Sequence, residues 1–495
     1  MKKVAIIGSG VGAISLSIRL SNLGYYVDVY EKNSYPGGKL TTIKSGKYSF
    51  DAGPQLFTMP TYVDELFELS GENPREFFNY KRKEIGCKYF WEDGVELCAY
   101  SDQKKFLKEV NLKLGVDKKI LESYLKKAKK KYELSTKIVL EKSIHKLSTF
   151  FSKDVLKAIL NFRLFEFFKT LSKVNQQQLK EKHLIQFYNR FATYIGSSPY
   201  KTSGIMTVIQ HLESHFGTFF PEGGLRMITN VLVELAERKN VNFIYNTTVT
   251  EILSENNNVV GVKINGNTKK KYEIVISNMD IYFTYEKLLK NIKTPYRVKN
   301  VNSSSSALIF YWGINDSFEN LELHNIFFSK DYKKEFNSIF NEMEFCDDPT
   351  IYLSITSKDN PSDAPVGCEN WYVMINTHYD SDHDWEDLAK RYRKIIIKKI
   401  ERVLGKSIEK NIVSEEILSP KTIFERTQSY RGALYGPSSN ETFSAFHRHP
   451  NFSHKLNNLY FCGGSVHPGG GIPMCLLSAK IVSGLISKKY NSKDL

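Results

Sequence analysis

The sequence predicts an α/β protein built on a dinucleotide-binding βαβ unit, and three observations carry that prediction. The first 32 residues read as strand, glycine loop, helix, strand and terminal acid. Strand, glycine turn and helix start recur at the far end, where Leu459 to Cys462 is followed by Gly463-Gly464 and Gly469-Gly470-Gly471. Between them, short strand-like runs from Asn242 to Ile276 and from Ala307 to Asn376 supply a small meander and a second, mixed sheet.

Val4 to Ile7 is a β-branched apolar run, as expected of a strand buried on both faces. It breaks at Gly8-Ser9-Gly10-Val11-Gly12-Ala13. Gly8 permits the tight turn and Gly10 lets the backbone approach a pyrophosphate. Gly12 follows in the loop, and Ala13 is small enough for the next helix to pack on the sheet. That helix, Ile14 to Leu23, aims its free N–H groups and positive dipole end at the phosphates. Glu31 ends the second strand, Tyr26 to Tyr30, where a carboxylate can accept both ribose hydroxyls, with Lys32 beside it. Gly37-Gly38-Lys39 offers a second close backbone approach, with Lys39 as counter-charge to a diphosphate. Two helix starts at opposite chain ends fit FAD better than NAD, because FAD is long enough to need both. Phe50 to Gln55, containing Gly53 and Pro54, is then placed to run past the flavin ring.

The chain has 495 residues, 41% of them hydrophobic, so large cores and two or three domains are expected. Its six cysteines are scattered without C-x-x-C pairs or zinc spacing, which reads as free thiols and no metal site. No apolar run approaches the roughly 18 residues of a membrane span, and Arg19 interrupts the only stretch resembling a secretory signal. A net charge of +15 favours anionic surfaces. With no nucleic-acid motif present, lipid is preferred to nucleic acid. The lysine run Tyr124 to Lys131 reads as a solvated helix face. Leu147 to Val174, which mixes large apolar side chains with lysines and an arginine, reads either as a segment lying in a head-group layer or as a helix pair in the core.

GSGVGA, Glu31 and GGK at the start, with GGSVHPGGGIPMCLLSAKIVSGL at the end, resemble the bacterial and fungal phytoene desaturase family of flavoprotein carotenoid desaturases. FFPEGGLRMI and SNMD are similar to that family's connecting motifs. FATYIGSSPY and GALYGPSS most resemble the subgroup that introduces a 3,4 double bond into 1-hydroxylated carotenoids. Lys39 stands where the family usually has arginine. The resemblance implies FAD, with Gly8, Gly10, Ala13, Glu31, Gly37, Gly38 and Lys39 at its adenosine diphosphate end and Val249 against the adenine. It places Gly53, Pro54, Gly463, Gly464, Gly471, Ile472 and Pro473 around the flavin and ribityl chain.

The implied chemistry is hydride loss from a carbon beside a polyene to the flavin, then proton loss from its neighbour. Asp154 and His467 are the candidate bases, each weighed against a structural role. Arg190, Thr193 and Tyr194 are candidates to meet a substrate hydroxyl, which must find a partner when buried. The expected division is FAD-binding parts at 1–80, 219–290 and 426–495 and substrate-domain parts at 81–130 and 291–425. A helical, membrane-associating segment spans 131–218. The partners expected are a long apolar carotenoid, the cytoplasmic face of a membrane bound peripherally, and oxygen or a quinone as electron acceptor. Competing readings are a phytoene- or lycopene-type desaturase, a carotenoid isomerase, another flavoenzyme such as an amine oxidase, and a prenyl-lipid carrier without chemistry.

Overall fold

The computed structural model describes residues 2–140, 142–146, 153–379 and 383–490. A five-stranded parallel sheet gathers the chain's beginning, middle and end in the order Leu459–Phe461, Ile274–Ser277, Lys3–Ile7, Tyr26–Tyr30 and Asn242–Ile244. Lys3–Ile7 is central, which is why it is apolar on both faces. Val4 and Ile6 join the core beneath the helices Val11–Asn22, Arg226–Arg238 and Ile472–Tyr490. Ala5 and Ile7 face the opposite core, shared with the antiparallel meander Val249–Glu255, Asn258–Ile264 and Thr268–Lys271.

A seven-stranded sheet runs Ile412–Leu418, Ser306–Ile314, Glu369–Thr377, Ile351–Ile355, His324–Phe327, Ile85–Phe90 and Glu96–Tyr100. It is antiparallel except for the parallel pairing of His324–Phe327 with Ile85–Phe90, so it is mixed. One face buries Phe310, Trp312 and Trp371 against the helix Trp385–Leu404. Ala389, Tyr392, Ile396, Ile397 and Ile400 of that helix are buried there, contributing roughly 8–15 kcal/mol before conformational entropy is counted. The other face carries Ile309, Tyr352, Tyr372 and Met374 toward a cavity.

Helices Gln103–Leu114, Lys118–Ser135, Leu171–Leu179 and Lys182–Asn189 lie over that second face. The side chain of Asp102 caps the first and that of Asp117 the second, while Gly115 ends the first at φ +66°. The lysine run is solvated as expected except at its end, where the sequence reading needs correction. Lys131 is buried, with Nζ 2.7 Å from Glu166 and 2.8 Å from Thr207 Oγ1. Gly204 to Phe216 divides into 3₁₀, α and π turns at Gly204–Val208, Ile209–His211 and Leu212–Phe216. Gly204, Thr207, Val208 and Ile209 are weak helix formers, and tertiary contacts set the pitch.

Residues 147–152 of the expected amphipathic segment lie outside the described residues. The helix Lys153–Leu160 that follows buries only Val155. Among the described residues no helix is long and apolar enough to cross a membrane.

Candidate active site

Three backbone turns converge where the parallel sheet ends. Gly8, at φ +90°, donates its N–H to Tyr30 O at 2.7 Å and turns the chain out of the strand. Gly37 donates to Ser9 O at 2.9 Å and forms an isolated parallel bridge with Gly10. A Cβ on Gly37 would sit 2.4 Å from Leu40 O, and one on Gly38 would lie 3.5 Å from Gly10 Cα. The Gly37 approach requires glycine, and Gly38 is favoured by its backbone at φ +61°.

Glu31 is buried with its carboxylate at this loop. Oε2 accepts from Ser9 N and Ser9 Oγ at 2.9 and 2.8 Å, and Oε1 accepts from Asn33 N at 2.9 Å. Asn278, in the SNMD turn, joins the chain's three parts. Its Oδ1 accepts from Gly10 N at 3.1 Å and its Nδ2 donates to Cys462 O at 2.8 Å. Reading the sequence missed Asn278 as a site residue, although a polar side chain closing a buried strand was a usable signal.

The cavity that begins at this loop has a volume of ≈ 710 Å³ and continues along the substrate-side face of the mixed sheet. Gly8, Gly10, Gly12, Glu31, Lys32, Gly37, Gly38, Lys39, Gly53, Pro54 and Val249 line it from one side. Gly463, Gly464, Gly471, Ile472 and Pro473 line it from the other. Gly471, at φ +103° before the helix Ile472–Tyr490, has nothing within 4 Å of where a Cβ would stand, so the turn is open to an occupant. Ala13 is corrected from a cofactor contact to a packing residue, because it is fully buried in the helix–sheet core.

Lys39 also needs correction. Its Nζ donates to Ala433 O at 3.2 Å and Leu434 O at 2.8 Å, tying the Gly37-Gly38 turn to the GALYGPSS segment instead of pointing at the glycine loop. Burial pulls its ammonium down to about 8, against the favourable charge of Asp280. Arg448, unnoticed in the sequence, donates to Pro437 O at 2.9 Å and Gly464 O at 3.4 Å, and burial lowers it to about 10. Neither cation has a salt-bridge partner among the described residues. The buried Arg448 guanidinium, bonded among the described residues only to backbone carbonyls of turns at the cavity, fits an anionic dinucleotide, and the half-buried Lys39 adds a second cation nearby.

The two expected bases do not reach the cavity. Asp154 is partly exposed on the helix Lys153–Leu160, with Oδ2 3.9 Å from Lys142 Nζ. Val155 beside it is buried, but Leu156, Ile159 and Leu160 on the same helix are exposed, so the helix gives it no buried setting. His467 is fully buried behind the glycine turn. Its Nε2 donates to Lys142 O at 3.0 Å, its carbonyl accepts from Asn451 Nδ2, and burial pulls the imidazole down to about 4. It holds the turn in place.

Arg190, Thr193 and Tyr194 do line the cavity. Arg190 Nη2 donates to Tyr89 OH and, at 3.1 Å, to Tyr194 OH; Tyr194 OH donates to Glu213; and Thr193 Oγ1 donates to Arg190 O at 2.8 Å. Glu213 was missed because it lies 19 residues from Tyr194, on a helix whose pitch the sequence did not reveal.

A glycine-loop parallel sheet bound to a mixed sheet over one cavity is the architecture of a flavin dinucleotide oxidoreductase. Residues 14–487 match the family described as flavin-containing amine oxidoreductases, and the chain belongs to that family. The chain is 48% identical over 486 residues to the 1-hydroxycarotenoid 3,4-desaturase of Flavobacterium sp. (strain P99-3), covering 98% of this chain and 99% of the relative. It is 30% identical over 493 residues to the 4,4'-diaponeurosporene oxygenase of Staphylococcus aureus (strain MSSA476), covering 99% and 98%. Among solved structures, an oxidoreductase from Methanosarcina mazei aligns with a TM-score of 0.65 at 14% identity, covering 97% and 100%. The cyclohexylamine oxidase of Brevibacterium oxydans IH-35A aligns at 0.61 with 13% identity, covering 99% of each chain. FAD is the cofactor that this family and these turns call for.

Proposed function

We propose that the protein is an FAD-dependent carotenoid desaturase that introduces the 3,4 double bond into a 1-hydroxylated acyclic carotenoid. The observation that carries this reading is one continuous cavity, apolar along most of its wall, joining the glycine turns to the mixed sheet and ending at a few buried polar groups. The 48% identical relative bears the name of that activity. Bound FAD supplies the hydride acceptor. The chain's own work is to hold a long polyene with one C–C bond at the flavin turn, to exclude water and to fix the hydroxylated end. Ile309, Tyr352, Tyr372 and Met374 provide a flat wall for the chain, and Tyr435 stands beside Gly470 where the reacting end must sit.

The cavity mouth supports peripheral binding at a membrane, which this reading places at the cytoplasmic face. Phe167, Phe443 and Phe446 line the opening, and Phe168 touches Phe443 at 6.3 Å between ring centroids. Leu160 and Phe168 are 77% and 78% exposed, with Leu156 and Ile159 exposed beside them and Lys153, Lys157 and Lys169 around them. Apolar side chains ringed by cations suit an anionic lipid surface, from which a carotenoid could enter without crossing water. The reoxidant in this reading is oxygen or a quinone.

The test is to incubate the holoenzyme under air, in liposomes, with 1-hydroxylated and non-hydroxylated acyclic carotenoids. The expected product is two hydrogens lighter and red-shifted, from the hydroxylated substrate. A product of unchanged mass would indicate an isomerase, a product carrying added oxygen an oxygenase, and reaction of phytoene or lycopene instead a general desaturase.

A further inference from the structure

We infer that Glu213 reads the substrate's tertiary hydroxyl by accepting its hydrogen bond, with Arg190 and Tyr194 as positioning residues; this rests on the desaturase reading above. Among the described residues the cavity wall holds three carboxylates, Glu31, Asp280 and Glu213. Glu31 is engaged by Ser9 and Asn33 at the glycine loop. Asp280 accepts from Tyr282 N at 3.0 Å and Tyr430 N at 3.2 Å. Glu213 alone of the three stands among substrate-side residues.

Its Oε2 accepts from Tyr194 OH and faces Arg190 Nη2 at 3.6 Å, while its Oε1 makes no hydrogen bond among the described residues. Arg190 and Glu213 are 5% and 7% exposed. The unmet capacity continues around them. Among the described residues Arg190 Nε has no hydrogen-bond partner, and neither has Nε2 of His324, whose Nδ1 lies 2.9 Å from Tyr352 OH. A carboxylate in an apolar wall is costly to bury, and Arg190 offsets that cost while leaving one oxygen available.

Position agrees with the chemistry. The hydroxyl sits on C1 and the bond to be oxidised is C3–C4, so by ordinary bond lengths the oxygen lies within about 4 Å of C3. The hydroxyl reader must therefore stand close to the flavin turn. Tyr435 makes that connection. Its Cδ1 would be 3.2 Å from a Cβ on Gly470, and its Cδ2 would be 2.8 Å from a Cβ on Gly196, two residues past Tyr194. A non-hydroxylated end placed here leaves Glu213 Oε1 desolvated without a hydrogen bond, and a site built to bond a hydroxyl rejects an analogue that lacks it.

The test compares kcat/KM of the wild-type holoenzyme on one carotenoid bearing hydroxyl, methoxy or hydrogen at C1, then repeats the comparison with Glu213→Gln at confirmed flavin content. The methoxy and hydrogen compounds are expected to react at least 100-fold more slowly than the hydroxyl compound. Glu213→Gln should slow the hydroxyl compound at least tenfold while changing the hydrogen compound less than threefold. Equal rates for hydroxyl and methoxy in the wild type overturn the inference and leave the desaturase reading standing. A parallel loss on all substrates in the variant, with normal flavin, would mean that Glu213 serves structure or the chemical step and also overturns it. Failure of the wild type to desaturate any of the three removes the reading on which the inference rests.

Discussion

Asp51 poses a contest whose outcome can be worked from the structure. Its carboxylate accepts from Leu225 N at 2.8 Å and Arg226 N at 3.0 Å, joining the Phe50–Gln55 turn to the start of the helix Arg226–Arg238. Those two N–H groups and the helix dipole favour the charged form. Burial opposes them and wins, assisted by Asp363, so the carboxyl is raised from 3.8 to about 6. The folded state then binds the proton more tightly than the unfolded chain. Stability from this group is fully present below 3.8 and is lost as pH rises through 6. Relative to Asp51→Asn, the wild type should gain about 1.4 kcal/mol between pH 7.5 and pH 5. Urea unfolding of both holoproteins at the two pH values, with reversibility checked by dilution, measures the difference. A wild type that loses stability relative to the variant on acidification would show that the helix terminus outweighs burial, and would refute the reasoning.

Gly37→Val places a side chain 2.4 Å from Leu40 O at φ +103°, so the Gly10–Gly37 contact must open; the variant should purify without flavin, measured as bound FAD per chain. His211, His324 and His467 are held neutral by burial, at about 4, about 3 and about 4. Their contribution is present above pH 6.5 and lost as pH falls toward 4, about 1.4 kcal/mol each at pH 5.5, and the pH dependence of the wild-type unfolding midpoint checks it. Leu160→Glu with Phe168→Glu should abolish sedimentation with anionic vesicles while leaving flavin content unchanged. Lys131→Ala removes a buried partner of Glu166 and Thr207, leaving them Lys169 at 3.6 Å and Gly204 O at 3.0 Å, and should lower the urea midpoint by an amount equivalent to roughly 1–3 kcal/mol.

The cofactor half of the site was legible because local sequence constrains it. A close backbone approach demands glycine, and the strand–glycine–helix order survives without knowledge of the fold, so Gly8, Gly10, Gly37 and Gly471 all fall on one cavity. Ser306–Ile314, Ile351–Ile355 and Glu369–Thr377 were readable from their β-branched and aromatic runs, but His324–Phe327 and Ile412–Leu418 were not, nor was the strand order, which depends on pairings such as Asn325 with Lys88. Reading failed where a role depends on distant partners. Asp154 looked special by contrast with apolar residues of which Leu156, Ile159 and Leu160 face outward. Lys131 was indistinguishable from its solvated neighbours until Glu166 and Thr207 were brought beside it. Glu213 and Arg448 acquire their roles from residues scattered across the chain.

The central claim, hydride transfer from carotenoid to bound FAD, is tested most directly by an anaerobic stoichiometry. Holoenzyme in liposomes, supplied with excess 1-hydroxylated carotenoid and neither oxygen nor quinone, should form one equivalent of the two-hydrogen-lighter product per bound FAD and then stop until an acceptor is added. Continued turnover without an acceptor, or no product until oxygen enters and is incorporated, would contradict it.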